Sequence, residues 1–193
     1  MKKSTIGFIV VAAILIIWCI SGYNGLVSEE EIVNQSWGKV QSAYQRRSDL
    51  IPNLVNVVKG YAEHERETLE AVIEARSKAT QININAEDLN EESMKKLQAA
   101  QGELSSALNK LMVVNERYPD LKANEQFQNL QIQLEGTENR INESRNLYND
   151  AVKNYNIKVR KFPKNILASI FGFSTKPTFE ADADAQKAPE VKF

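Results

Sequence analysis

The only histidine, His64, sits between Glu63 and Glu65, with Glu67 and Glu70 following. No other cluster in the chain has residue types suited to a divalent metal or to acid–base work. A zincin helix needs His-Glu-x-x-His, and a di-iron bundle needs two Glu-x-x-His pairs with two further glutamates. One histidine satisfies neither. Carboxylates alone can hold a hard cation, so a metal-dependent or enzymatic factor centred on Glu63, His64 and Glu65 is the alternative to a solvated, salt-bridged helix face. Nucleophilic catalysis has less support: the one cysteine, Cys19, lies in an apolar run, and no serine stands in a strained elbow or loop. The eight glycines are scattered and form no phosphate-cradling loop. The sequence therefore predicts no catalytic residues, no metal and no cofactor.

Polar residues at helical spacing are more informative. On one stretch Asp49, Asn53, Asn56, Gly60, Glu63 and Glu67 recur by four and three; on another Glu138, Asn142, Arg145, Asn149 and Asn156 do nearly the same. Each stripe borders an apolar seam, where half-buried polar groups must find partners. They can fix the register between helices or line a groove for a partner segment. Arg46 and Arg47 precede Asp49 and Pro52, and Pro52 lacks an amide and disfavours helix at Ile51. This stretch is expected to be a joint. Asp49 would cap a restarted helix, and the two arginines would answer nearby carboxylates or the carbonyls of the helix that stops. His64 and Glu65, with Arg46, Arg47, Asp49, Pro52, Asn53, Gly60, Glu138, Arg145 and Asn149, are the structural or partner-binding candidates.

The elements that position these residues are helices. Ser28 and Glu31 form a capping box for a first soluble helix, continuous with or closely joined to the membrane helix, whose stripe is Ile32, Val33, Trp37, Val40 and Tyr44. A second helix carries Leu54, Val58, Tyr61, Leu69, Val72 and Ile73 to about Thr80, and Gln81 to Asp88 reads as a connection. The third helix repeats Leu97, Leu104, Leu108, Leu111 and Tyr118, close to a heptad, and ends at Pro119. Asn124 caps the fourth, with the seam Phe127, Leu130, Leu134, Thr137, Ile141, Ser144, Tyr148, Ala151 and Tyr155. From Asn124 to Phe162 it would reach about 58 Å at 1.5 Å per residue. Lys164 to Phe173 allows one more short amphipathic turn or two. From Ser174 onward apolar density drops and disorder is expected, with Phe179 and Phe193 the only residues suited to local docking. The fold class is all-α: an N-terminal transmembrane helix followed by a long antiparallel bundle of about four helices.

From Ser4 to Val27 no residue is charged, and Ile6 to Ile20 is almost wholly aliphatic. This matches the roughly 20 residues needed to cross a bilayer. Ala12-Ala13 lies inside the apolar run rather than after it, which disfavours signal cleavage. Trp18 and Tyr23 lie near its far end, as interface anchors do. Trp18 also stands where a small residue normally precedes an acylated cysteine, so Cys19 reads as a membrane-buried thiol. Lys2 and Lys3 flank one end and Glu29-Glu30-Glu31 the other, which leaves the N-terminus cytoplasmic and the bundle outside. The units are thus an anchor over 1–27, a bundle over 28–173 and a flexible tail over 174–193. With 24 basic residues against 25 acidic ones and no dense basic run, the electrostatic footprint of a nucleic-acid binder is missing.

One set of motifs, in order, resembles the LemA family. It comprises Tyr23-Asn24-Gly25-Leu26-Val27; Arg46-Arg47 with Asp49-Leu50-Ile51-Pro52-Asn53-Leu54-Val55; and Lys59-Gly60-Tyr61-Ala62 with His64-Glu65. Ala75-Arg76, Tyr118-Pro119 with Leu121-Lys122-Ala123, Gly136-Thr137-Glu138 with Arg140-Ile141, Arg145 and Tyr148-Asn149 complete it. The likeness runs from the anchor to Phe173. It implies a membrane-anchored bacterial protein with an all-helical bundle, no established biochemical activity and no family catalytic residues to carry over. The expected role is a scaffold or adaptor in the inner membrane of the cell envelope, partnered by a membrane protein or by copies of itself.

Overall fold

The computed structural model describes residues 3–62 and 64–180, with side chains from Ile6. Glu63, Lys2 and Phe193 lie outside the described residues, as does the rest of the tail from 181. Among the described residues there is no strand. Six α-helices follow in order: α1 Lys3–Tyr61, α2 Arg66–Gln81, α3 Glu91–Val114, α4 Pro119–Ala123, α5 Glu125–Arg160 and α6 Lys164–Phe171.

Helix α1 is one uninterrupted rod of 59 residues, about 88 Å at 1.5 Å per residue. The first soluble helix is continuous with the apolar segment, as one of the two arrangements expected for them, so no helix starts at Ser28: the residues before it are already helical and supply the carbonyls a capping box would replace. The expected joint at Arg46–Pro52 does not occur. Pro52 points outward and is exposed, while Leu50, Ile51, Leu54, Val55 and Val58 are buried on the inner face. An interior proline costs a helix about 3 kcal/mol. Five buried aliphatic side chains, each contributing about 1.5–3 kcal/mol, outweigh that, and the rod continues through it. The break falls instead after Tyr61, and the Glu65 amide donates to Ala62 O at 3.1 Å before α2 begins at Arg66.

The helices run antiparallel in two layers. Contacts between Glu29 and Lys158, Arg47 and Glu138, and Tyr61 and Asn124 fix α5 against α1 in opposite direction over its whole length. This register sets Ser36 and Ala43 level with Ala151 and Ser144, all buried, so the two backbones approach closely. α2 and α3 form a hairpin against this pair. Asn90 caps α3 reciprocally with Ser93, and Asn124 caps α5 by accepting from the Phe127 amide at 2.9 Å. Every residue of the predicted α5 seam is buried.

Two hydrophobic cores result. The distal core, away from the apolar end of α1, gathers Leu54, Val58, Leu69, Val72, Leu104, Leu111, Leu121 and Phe127 among others. The proximal core gathers Leu26, Val33, Trp37, Val40, Met94, Leu97, Ile141, Tyr148, Tyr155 and Leu167. Three residues expected on inner stripes, Ile32, Tyr61 and Ile73, are instead exposed.

Candidate functional site

Between the two cores lies a polar layer built on Arg47. Its side chain is only 2% exposed, the largest fully buried side chain among the described residues. Nη1 donates to Glu138 Oε2 at 2.7 Å and to Ser105 Oγ at 2.9 Å, and Nη2 donates to the side-chain oxygen of Gln101. Glu138 is 46% exposed. The guanidinium therefore reaches from the interior to a carboxylate that water still solvates, which limits the desolvation cost of a buried ion pair. Tyr44 lies beside Arg47, whose guanidinium is 5.7 Å from its ring. Arg145 Nε donates to the Tyr44 hydroxyl at 3.0 Å. Burial raises the Tyr44 phenol above its ordinary value, and Arg145 and then Arg47 partly offset that rise. This layer fixes register between α1, α3 and α5, because a one-residue slip would leave a buried charge unpaired.

A second polar arrangement serves Pro52. Without an amide at 52 the carbonyl of Ser48, four residues back, loses its helical donor. Arg76 Nε, from α2, donates to Ser48 O at 2.9 Å and takes that place. Two motifs far apart in sequence, Asp49–Val55 and Ala75-Arg76, are thus one structural unit.

The proximal polar stripe of α5 is an occupied groove. Residues 174–180, expected to be disordered apart from local docking by Phe179, instead climb α5 as an ordered strap, with Phe179 docked. Asn156 Nδ2 donates to Lys176 O at 2.9 Å and its Oδ1 accepts the Lys176 amide at 2.9 Å. Asn149, one heptad earlier, repeats this with Phe179: Nδ2 to the carbonyl at 3.1 Å, and the amide to Oδ1 at 2.8 Å. Tyr148 donates to Pro177 O at 3.0 Å, and Gln98 to Glu180 O at 3.0 Å. The Phe179 ring is buried against Tyr148 (5.4 Å) and Trp37 (6.1 Å), with the Arg145 guanidinium 4.9 Å away on its face. Trp37 Nε1 is held in turn by Ile84 O at 2.9 Å. Burial pushes the Tyr148 phenol far up, and burial with the Glu30 carboxylate pushes Tyr155 up to about 12.

The other candidates separate. Arg46 is exposed and donates to Gln133 Oε1 at 3.2 Å. Asp49 caps nothing; it accepts from Gln45 Nε2 at 2.7 Å. Asn53, Asn56 and Gly60 are exposed, so the first stripe is a solvated face. His64 is exposed, whereas Glu65 is held by Arg117 at 3.1 Å and by the Tyr118 hydroxyl at 3.2 Å. Among the described residues no three His, Cys, Asp or Glu side chains gather as metal ligands would. Gln101 and Ser105, which complete the Arg47 layer, belong to neither polar stripe of the sequence. Asn149 and Asn156, which hold the strap, both fall on the α5 stripe that spacing alone marks.

The arrangement is a rod with one apolar terminal segment, long and apolar enough to cross a membrane, carrying an antiparallel helical bundle. The family model described as "LemA family" matches residues 36–193, and the chain belongs to that family. It is 28% identical over 175 residues to magnetosome protein MamQ 2 of Paramagnetospirillum magneticum, covering 82% of this chain and 64% of that protein. It is 26% identical over 168 residues to MamQ of Magnetospirillum gryphiswaldense, covering 78% and 62%. Protein LemA of Metamycoplasma hominis is 25% identical over 158 residues, covering 82% and 68%. The chain thus spans less than two thirds of the length of the MamQ proteins it matches.

Proposed function

We propose that this protein is a membrane-anchored scaffold or adaptor, which holds a rigid helical bundle at the surface of the cytoplasmic membrane for a partner membrane protein or for further copies of itself. The observation that carries this reading is the continuity of α1. The same helix supplies the apolar span, with its large apolar side chains from Ile6 to Ile20 exposed, and the central rod of the bundle. Force or position at the membrane is therefore passed to the bundle without a hinge. The MamQ relatives are, by name, magnetosome proteins. The role is non-catalytic, residues 1–27 act as anchor and 28–173 as the presented body, and nucleic acid is no partner.

Orientation in this reading follows Lys2 and Lys3 on one side and Glu29 to Glu31 on the other, with the bundle extracytoplasmic. Protease treatment of intact spheroplasts is expected to digest the bundle, and full protection would reverse the orientation. Crosslinking in intact cells from the exposed Arg46 and His64 faces, followed by pull-down, is expected to give defined adducts. A strictly monomeric protein without an enriched partner would overturn the scaffold reading.

A further inference from the structure

Helix α6 is the lowest part of the bundle, where α5 has come down and the strap starts back up. Gly172, at φ 79°, closes it, and both the Gly172 and Phe173 amides donate to Ala168 O. Its inner face is settled: Leu167 and Ala168 are buried, Leu167 sits so close to Gly22 that a Cβ there would lie 2.5 Å from it, and Phe171 meets the Tyr23 ring edge-on at 4.9 Å. What α6 and its approach leave exposed, including the free half of the Phe171 ring, is apolar as well. Phe162, Ile166, Ile170 and Phe171 are 76%, 49%, 69% and 52% exposed. Soluble surfaces do not normally gather four such side chains within ten residues.

The level at which this patch lies identifies what covers it. Gly22, Tyr23 and Gly25, the α1 residues beside α6, fall in the last turns of the uncharged stretch Ser4–Val27, which at 1.5 Å per residue ends near the edge of a hydrocarbon layer about 30 Å thick. The patch continues the exposed apolar surface of the span itself. Its rim is cationic: Arg160, Lys161 and Lys164 form no ion pair among the described residues. The nearby Glu29 and Glu30 are already engaged by Lys158 and by Lys176 at 3.4 Å, leaving Glu31 as the free carboxylate at that level of α1. An amphipathic helix with apolar residues on one side and lysines at its edge lies in a bilayer interface and favours anionic headgroups.

We propose that α6, with Phe162, is a second membrane contact: it inserts Ile166, Ile170 and Phe171 into the headgroup boundary beside α1 and sets Lys161 and Lys164 against anionic lipid phosphates. This rests on the anchoring reading above. Two points on lipid, the span and α6, would fix the bundle's tilt and rotation on the membrane, which a lone helical span leaves free.

The test uses the full chain in vesicles, with an environment-sensitive fluorophore on single cysteines introduced in a Cys19→Ser background. Ile14→Cys reports the span, Ile170→Cys reports α6, and Gln128→Cys reports the distal end. With spin-labelled lipids, Ile14→Cys should be quenched best by a deep label and Ile170→Cys best by a shallow one. Gln128→Cys should be quenched by neither. If Ile14→Cys is quenched while Ile170→Cys behaves like Gln128→Cys, the α6 proposal is wrong and anchoring stands; if neither is quenched, anchoring itself fails. A blue-shifted Ile170→Cys without lipid quenching means a second copy or another protein surface covers α6, which also overturns the proposal. Combining Lys161→Glu with Lys164→Glu should weaken shallow quenching in anionic vesicles severalfold and leave zwitterionic vesicles unchanged. Equal quenching in both would remove the anionic-lipid assignment. Far-UV circular dichroism confirms that each variant is folded.

Discussion

The distal and proximal halves of the bundle solve the same burial problem differently. Distally, α2 lies along α1 and five helices, α1 to α5, enclose a core of aliphatic side chains with Phe127. Proximally, α2 has ended at Gln81 and its position beside α1 is taken by the 82–90 connection, irregular but for one 3-10 turn at Ala86–Asp88, and by the 174–180 strap. Extended segments cannot satisfy their own backbone groups as a helix does. The proximal half accordingly spends side chains on them: Trp37 and Gln41 on Ile84, Asn149 on Phe179, Asn156 on Lys176 and Tyr148 on Pro177. Aromatic rings replace aliphatic ones, and buried phenols come with them. The Arg47 layer separates the two regimes.

Breaking that layer should have the largest effect. Arg47→Ala strips partners from Gln101 and Ser105 and opens a cavity at the boundary of both cores. A loss of about 3 kcal/mol in denaturant unfolding is expected. Glu138→Gln should cost less than about 1 kcal/mol, because this carboxylate is half exposed and can be rehydrated. Equal losses from both variants would mean that the ion pair, rather than the buried guanidinium and its neutral acceptors, holds the layer.

Alkaline pH should distinguish the halves without mutation. Tyr44, Tyr148 and Tyr155 all lie in the proximal core, and burial raises each phenol above its ordinary value, Tyr155 to about 12. A phenol that keeps its proton in the fold but loses it near pH 10 on unfolding gives stability that is complete below 10. That stability is lost as pH climbs through the folded value. Between pH 10 and 12 hydrogen exchange should therefore accelerate first at proximal amides, with α2 and the distal turns of α3 protected longer. Uniform acceleration would deny that the halves differ.

Most of the helical architecture was legible because it rests on periodicity. The α5 seam from Phe127 to Tyr155 alternates by three and four, and packing honours every position of it. Local signals misled where tertiary packing opposed them. The Ser28 capping box and Pro52 are both helix-end signals, yet the inner face of α1 is buried on either side of each. Contacts made by backbone groups were invisible. Nothing in Lys176 or Phe179 announces that their amides will meet Asn156 and Asn149, since the asparagines read peptide groups rather than side chains. Arg47 was marked as important from its neighbours, but its burial depended on Gln101 and Ser105 arriving from a helix more than fifty residues away.

A double-mutant cycle addresses the distal half. Arg76→Ala should cost about 1–2 kcal/mol by orphaning the Ser48 carbonyl. In a Pro52→Ala background the new amide can bond that carbonyl and the helix loses its interior proline, so the same Arg76→Ala should cost much less. Coupling of about 1 kcal/mol between residues 24 positions apart is expected. Additive effects would mean that Arg76 acts by packing alone.

The smallest global effect, and the sharpest local one, belongs to the strap. Asn149→Ala and Asn156→Ala each delete a paired set of bonds to one residue of an extended segment, while the α5 seam beneath is untouched. Global unfolding should move by less than about 1 kcal/mol, because Phe179 still has Trp37 and Tyr148 to pack on. The Lys176 and Phe179 amides, deprived of their acceptors, should lose exchange protection at the mutated end first. Limited proteolysis should then cut between 174 and 180 in the double variant well before any helix is cleaved. If the strap keeps its protection in the double variant, the aromatic contacts alone seal the proximal half. The comparison with the distal half would then come down to ring packing rather than to backbone groups held by side chains.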